Sequence, residues 1–94
     1  MESKDYLITF SQTHNMIKAE MTLREQNIPL RSMPLPAILG GSCGFCIRLK
    51  EKMLNKALEI LKLENIEFAG VYEITVAGGK LSFVKIESEN CEQR

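Results

Sequence analysis

No sign of charge dominates this chain: twelve basic residues are matched by twelve acidic ones, for a formal net charge of zero. That balance removes the long-range attraction for phosphates that nucleic-acid binding and docking to anionic lipid depend on, so neither is an expected partner. No apolar run approaches the roughly 20 residues needed to span a bilayer. The start, Met1-Glu2-Ser3-Lys4-Asp5-Tyr6, is charged and lacks the apolar core of a signal peptide. Cysteine is scarce: three residues, an odd count that does not suit a secreted disulfide scaffold. These absences lead to the expectation of a cytoplasmic protein with reduced thiols. Catalytic signatures are missing too, with no Ser-His-Asp order, P-loop, paired-carboxylate motif or G-x-G-x-x-G. A chain of 94 residues suggests one domain, which buries roughly 60–65% of its unfolded surface and has no room for a deep enzyme cavity. A carrier or accessory protein is expected rather than a stand-alone enzyme.

What is present is enough apolar sequence for one core, with 45% of residues hydrophobic. Tyr6-Leu7-Ile8-Thr9-Phe10 is short and rich in β-formers, and predicts a buried strand. Ser11 or Thr13 can cap the helix that follows, over residues 14–26. Met16, Ala19 and Leu23 form its buried stripe. Asn27 suits a left-handed C-terminal position, and Pro29 cannot continue the helix. Leu30-Arg31-Ser32-Met33 predicts a second strand, stopped by Pro34 and Pro36. Phe45-Cys46-Ile47-Arg48-Leu49 alternates, with Cys46 and Arg48 on the face away from Ile47. Residues 50–64 predict a second helix with Leu54, Ala57, Leu58 and Leu61 on its stripe, and Asn65 near its end. Residues 68–74 predict a fourth strand. Ala77-Gly78-Gly79 reads as a turn, and residues 80–86 as a strand returning in a hairpin. The polar stretch 87–94, which holds Cys91, reads as a mobile tail.

A weak internal echo supports this order. Leu23-Arg24-Glu25-Gln26-Asn27-Ile28-Pro29-Leu30 resembles Leu61-Lys62-Leu63-Glu64-Asn65-Ile66-Glu67-Phe68. Each marks a helix end turning toward a strand. The order β-α-β-β-α-β gives an α+β, ferredoxin-like sandwich, with an antiparallel sheet, two helices on one face and an extra C-terminal strand. That topology starts the first helix beside the loop after the second strand, and so brings Ser11, Thr13 and His14 near Cys43.

The loop itself, Gly40-Gly41-Ser42-Cys43-Gly44, is the candidate site. A thiol acts as nucleophile or ligand only as thiolate, which a helix N-terminus or a protonated histidine favours. Gly40, Gly41 and Gly44, with Ser42, can bring backbone amides close to an anion such as a terminal sulfur or selenium. Cys43 is therefore the expected working residue, with Ser11, Thr13 and His14 in support. Cys46 completes a C-x-x-C spacing and is either a resolving thiol or a small residue packed on the sheet. A zinc site is not expected, because the second C-x-x-C or H-x-H pair is missing. Copper-chaperone domains share the fold order but carry their cysteine pair where this chain has Ser11-Gln12-Thr13-His14. Arg48, on the open sheet face, can bind an anionic group or stand as a solvated charge.

Tyr6-Leu7-Ile8-Thr9-Phe10-Ser11-Gln12-Thr13-His14, Ala19-Glu20, Ile28-Pro29, Met33-Pro34-Leu35-Pro36 and Ser42-Cys43-Gly44 together resemble the small selenium/sulfur carrier-like domain of bacteria. The resemblance covers roughly residues 5 to 75, with the carrier-like domain over 1–76 and an added strand and tail over 77–94. It implies a cytosolic bacterial protein whose carrier cysteine is Cys43. Cys46 stands where the family usually has an apolar or small residue. The expected activity is to hold a persulfide or selenosulfide on Cys43, without a cofactor, between donor and acceptor proteins. The alternative is a binding module whose open sheet face or edge strand docks a partner or a second copy as a homodimer, with incidental cysteines.

Overall fold

Leu7 and Ile8 are neighbours in sequence, point to opposite sides of a strand, and are both fully buried. Their strand must therefore lie inside a sheet that is covered on both faces. In the computed structural model, which describes residues 4–40 and 43–88, this is strand β1 (Asp5–Thr9). It is followed by α1 (Thr13–Glu25), β2 (Arg31–Pro34), a single 3-10 turn (Ala37–Leu39), β3 (Phe45–Lys50), α2 (Glu51–Leu63), β4 (Gly70–Ala77) and β5 (Lys80–Ser88). The sheet order is β2-β3-β1-β4-β5, and every pairing is antiparallel. This is the ferredoxin-like arrangement with one further strand at its edge.

Both helices bury their expected stripes on the same side. Met16, Ala19 and Leu23 of α1 and Leu54, Ala57, Leu58 and Leu61 of α2 pack against Tyr6, Ile8, Ile47, Leu49 and Val71 of the sheet. The opposite face is less open than its alternation suggests. Leu7, Cys46 and Ile74 are buried there beneath Met33, Leu35, Leu39, Tyr72 and Phe83. The segment after β2 folds back over the sheet, and β5 adds Phe83 to the cover.

The echo at the helix ends has a structural cause. Asn27 and Asn65 both adopt positive φ, 62° and 57°. The Ile28 N–H donates to Leu23 C=O and the Asn27 N–H to Arg24 C=O, each at 3.0 Å. The Ile66 N–H donates to Leu61 C=O at 2.9 Å and the Asn65 N–H to Lys62 C=O at 3.1 Å. These are two Schellman caps, in which a left-handed residue reverses the chain and the next apolar residue packs on the last turn. Ile28 and Leu23, like Ile66 and Leu61, lie together in the core.

Several boundaries differ from expectation. The residue that caps α1 is Gln12, which makes no side-chain capping bond, and Thr13 is already helical. Pro34 is part of β2 rather than its stop, paired with Phe45. An edge strand accepts proline because its missing amide faces away from the ladder. Leu30 falls outside β2. β4 begins at Gly70, and β5 runs past residue 87 to Ser88. Cys91 lies outside the described residues.

Asp5 closes the end of the sheet far from the glycine loop. Its Oδ2 accepts from Arg48 Nε at 2.7 Å and Nη2 at 2.6 Å, and Lys50 Nζ stands 3.0 Å from Oδ1. Burial by itself would raise the carboxyl pKa, but hydrogen bonds and charge from Lys50 and Arg48 outweigh it and hold the pKa below the ordinary 3.8. A depressed folded pKa means stability that is present above 3.8 and lost as pH falls through the folded value. The thermal midpoint of Asp5→Asn is thus expected to fall less than wild type between about pH 5 and about pH 2. Identical acid slopes in the two proteins would contradict this.

Candidate functional site

The loop from β2 to β3 is closed by its own backbone. The Leu35 N–H donates to Gly44 C=O at 2.9 Å, and the Leu39 and Gly40 N–H groups donate to Pro36 and Ala37 C=O at 3.0 Å. Gly40 and Gly44 take φ of 69° and 91°, values that a side chain at either position would strain. Glycine thus sits where the chain leaves the 3-10 turn and where it enters β3. Gly41 and Ser42 lie outside the described residues.

The loop meets the start of α1. Thr13 Oγ1 donates to the Cys43 carbonyl oxygen at 3.4 Å, the juxtaposition that the strand order implied. Ser11 and His14 lie beside it in sequence and are exposed.

The cysteines differ from the simple picture of a presented thiol. Cys43 is only 7% exposed and belongs to the helix-side core. Cys46 is fully buried on the other face of the sheet, with Leu7 and Ile74. A spacing of three in nearly extended chain sends two side chains to opposite faces. Both thiols are free. A disulfide needs Cβ atoms about 3.8 Å apart, so joining this pair requires one side chain to leave its layer.

Burial, and to a lesser degree Cys43, pushes the Cys46 pKa up to about 11. Near pH 8 only about one Cys46 in a thousand is then thiolate, the reactive form. In the folded protein Cys46 is expected to resist alkylation at that pH and to label readily once urea unfolds the chain. Peptide mass spectrometry reads both. Equal labelling with and without urea would contradict the burial.

A cavity of about 150 Å³ opens at this end of the sheet, lined among others by Phe10, Ser11, Leu39, Gly40, Tyr72 and Lys85. Lys85 Nζ stands 6.0 Å from the centre of the Tyr72 ring. Neither cysteine lines this cavity. Sequence reading missed Leu39, Tyr72 and Lys85, because only the fold-back of the loop and the pairing of β5 bring them to Gly40. The one signal available was the apolar Ile38-Leu39 pair inside an otherwise turn-rich stretch.

Among the described residues no group of three or more His, Cys, Asp or Glu is placed to hold a metal ion, and no helix is long and apolar enough to cross a membrane. A family model described as "Putative Se/S carrier protein-like" matches residues 5–73. No curated protein and no solved structure matches the chain.

Proposed function

The chain belongs to the Se/S carrier protein-like family, and from that premise we propose that it carries a sulfane sulfur or selenium atom on Cys43 between a donor and an acceptor protein in the cytoplasm of a bacterium. The observation that supports this reading is the seat of Cys43, one residue before a glycine at φ 91° and held through its carbonyl by the first residue of α1.

The chemistry is thiol exchange. The Cys43 thiolate attacks the terminal sulfur of a donor persulfide. A sulfur–sulfur bond forms to Cys43 as the donor's own sulfur–sulfur bond breaks, and the donor leaves as thiolate. An acceptor thiolate then attacks the carried sulfur and releases Cys43. Selenium follows the same steps through a selenosulfide. No outside oxidant or cofactor is needed. Cys43 is 7% exposed, so the loop must open for both transfers, and in between its cover keeps stray thiols from the load. Gly41, Ser42 and Gly44 supply backbone amides to the carried anion, while Gly40, whose N–H already donates to Ala37 C=O, turns the chain into the loop, with Ser11, Thr13 and His14 at the rim. Cys46, as a thiol at neutral pH, acts as a resolving residue only when the loop opens. Residues 1–76 form the carrier domain, and 77–94 are an addition to it.

The test is a transfer cycle. Reduced protein is loaded with a small-molecule persulfide, desalted and given an acceptor thiol, and its intact mass is followed. One added sulfur that disappears with the acceptor is the expected course. A mass that never changes would end the proposal.

A second reading rests on β5, whose Leu81, Val84 and Ile86 are about half exposed, with Val76 of β4 more so. In it the domain docks a protein along this edge strand, with the cysteines incidental.

A further inference from the structure

The end of the sheet opposite Cys43 carries an arrangement that the carrier reading does not use. Arg31 of β2 stands directly across from Arg48 of β3. Like charges facing each other across a strand pair are destabilising unless something compensates them. Lys50, two residues beyond Arg48 on β3, adds a third cation on the same side. One carboxylate, Asp5, serves Arg48 and Lys50 together. Arg31 has no ion pair among the described residues. The three cations and Asp5 line one groove of about 420 Å³, walled on its apolar side by Pro29 and Leu30. Three positive charges against one negative leave an excess of two, in a chain whose overall charge is zero. The groove is of the size that takes small molecules.

We propose that this groove binds a small dianionic oxyanion of the phosphate class, either inorganic phosphate or the phosphate of a small monoester. The excess of two charges matches a phosphate dianion. Arg31 and Arg48, facing each other across β2 and β3, present two planar guanidinium groups to a tetrahedral anion, which guanidinium recognises by paired hydrogen bonds. Asp5 holds Arg48 in place and prevents it from folding away. Pro29 and Leu30 offer a surface to the organic part of a monoester. Because β3 runs from the cysteine loop to this groove, the site lies at the far end of a strand of six residues, roughly 17 Å away. It stands whether or not Cys43 carries sulfur.

The experiment is isothermal titration of the full reduced chain in chloride buffer, with inorganic phosphate, glycerol 1-phosphate, succinate and a short poly-glutamate peptide as separate probes. Saturable one-to-one binding of phosphate or glycerol phosphate is expected, tighter than succinate or peptide. The stronger of the two phosphates names the source. Arg31→Gln, at an exposed edge position, is expected to weaken it about tenfold, the loss of a charge-assisted contact. Lys56→Gln on the outer face of α2 is expected to leave it unchanged. If Arg31→Gln does not fold, Lys50→Gln serves in its place. No saturable phosphate binding, equal affinity in the arginine variant, or tighter binding of the acidic peptide would each overturn the proposal.

Discussion

Ile47→Asp is expected to leave the chain unfolded or nearly so in plain buffer. Ile47 is fully buried, in the middle of β3, among residues from both helices and the neighbouring strand. Removing it forfeits about 1.5–3 kcal/mol of apolar burial. The new carboxylate has no cation on that side of the sheet among its core neighbours, so it must stay charged without a partner or take up a proton. Either adds several kcal/mol. A domain of this size has only about 5–14 kcal/mol in total. Leu63→Asp is the control: Leu63 is 76% exposed at the end of α2, and its change is expected to fall within about 0.5 kcal/mol. Urea unfolding followed by far-ultraviolet circular dichroism compares the two. A midpoint for Ile47→Asp near that of wild type would mean that the helices do not cover this face.

Cys43→Ser is expected to abolish sulfur loading while leaving the fold intact. Serine is close to cysteine in volume, and the Thr13 bond to position 43 uses the backbone carbonyl, which the change keeps. A hydroxyl is not a nucleophile for a persulfide at neutral pH. Cys46→Ser should load normally, because Cys46, with its pKa pushed up to about 11, is protonated under the loading conditions. It does place a hydroxyl in an apolar layer, so a modest loss of stability accompanies it. This pair of variants separates the carrier from the edge-strand docking module, which makes no distinction between the two cysteines.

The fold was legible because its signals are periodic. The stripes Met16-Ala19-Leu23 and Leu54-Ala57-Leu58-Leu61 can only be helix faces, and the alternation Phe45-Ile47-Leu49 only a strand. The Asn-Ile pairs at 27–28 and 65–66 revealed the helix ends, since asparagine tolerates the left-handed turn and isoleucine packs back. Where the reading failed, the cause was tertiary. No local pattern says that Leu35 and Leu39 fold over Cys46, since a loop's covering depends on what the sheet leaves bare. The thiol that glycines on either side suggested would be presented, Cys43, is instead packed into the helix-side core on the other face of the sheet. Ser11 and Thr13 are good capping residues, yet the chain enters α1 one step apart from each, at Gln12. The opposed arginines at 31 and 48 lie on different strands, and only the register of β2 against β3 brings them together.

If one cysteine among the three accepts sulfur, the place where the sulfur lands distinguishes it from the other two. Reduced protein is loaded with a persulfide donor at neutral pH, the adduct is trapped by alkylation, and peptides holding Cys43, Cys46 and Cys91 are quantified by mass spectrometry. An adduct on Cys43 that exceeds those on the other two and vanishes in Cys43→Ser is the predicted result. An adduct spread over the three cysteines, or concentrated on Cys91, would contradict it.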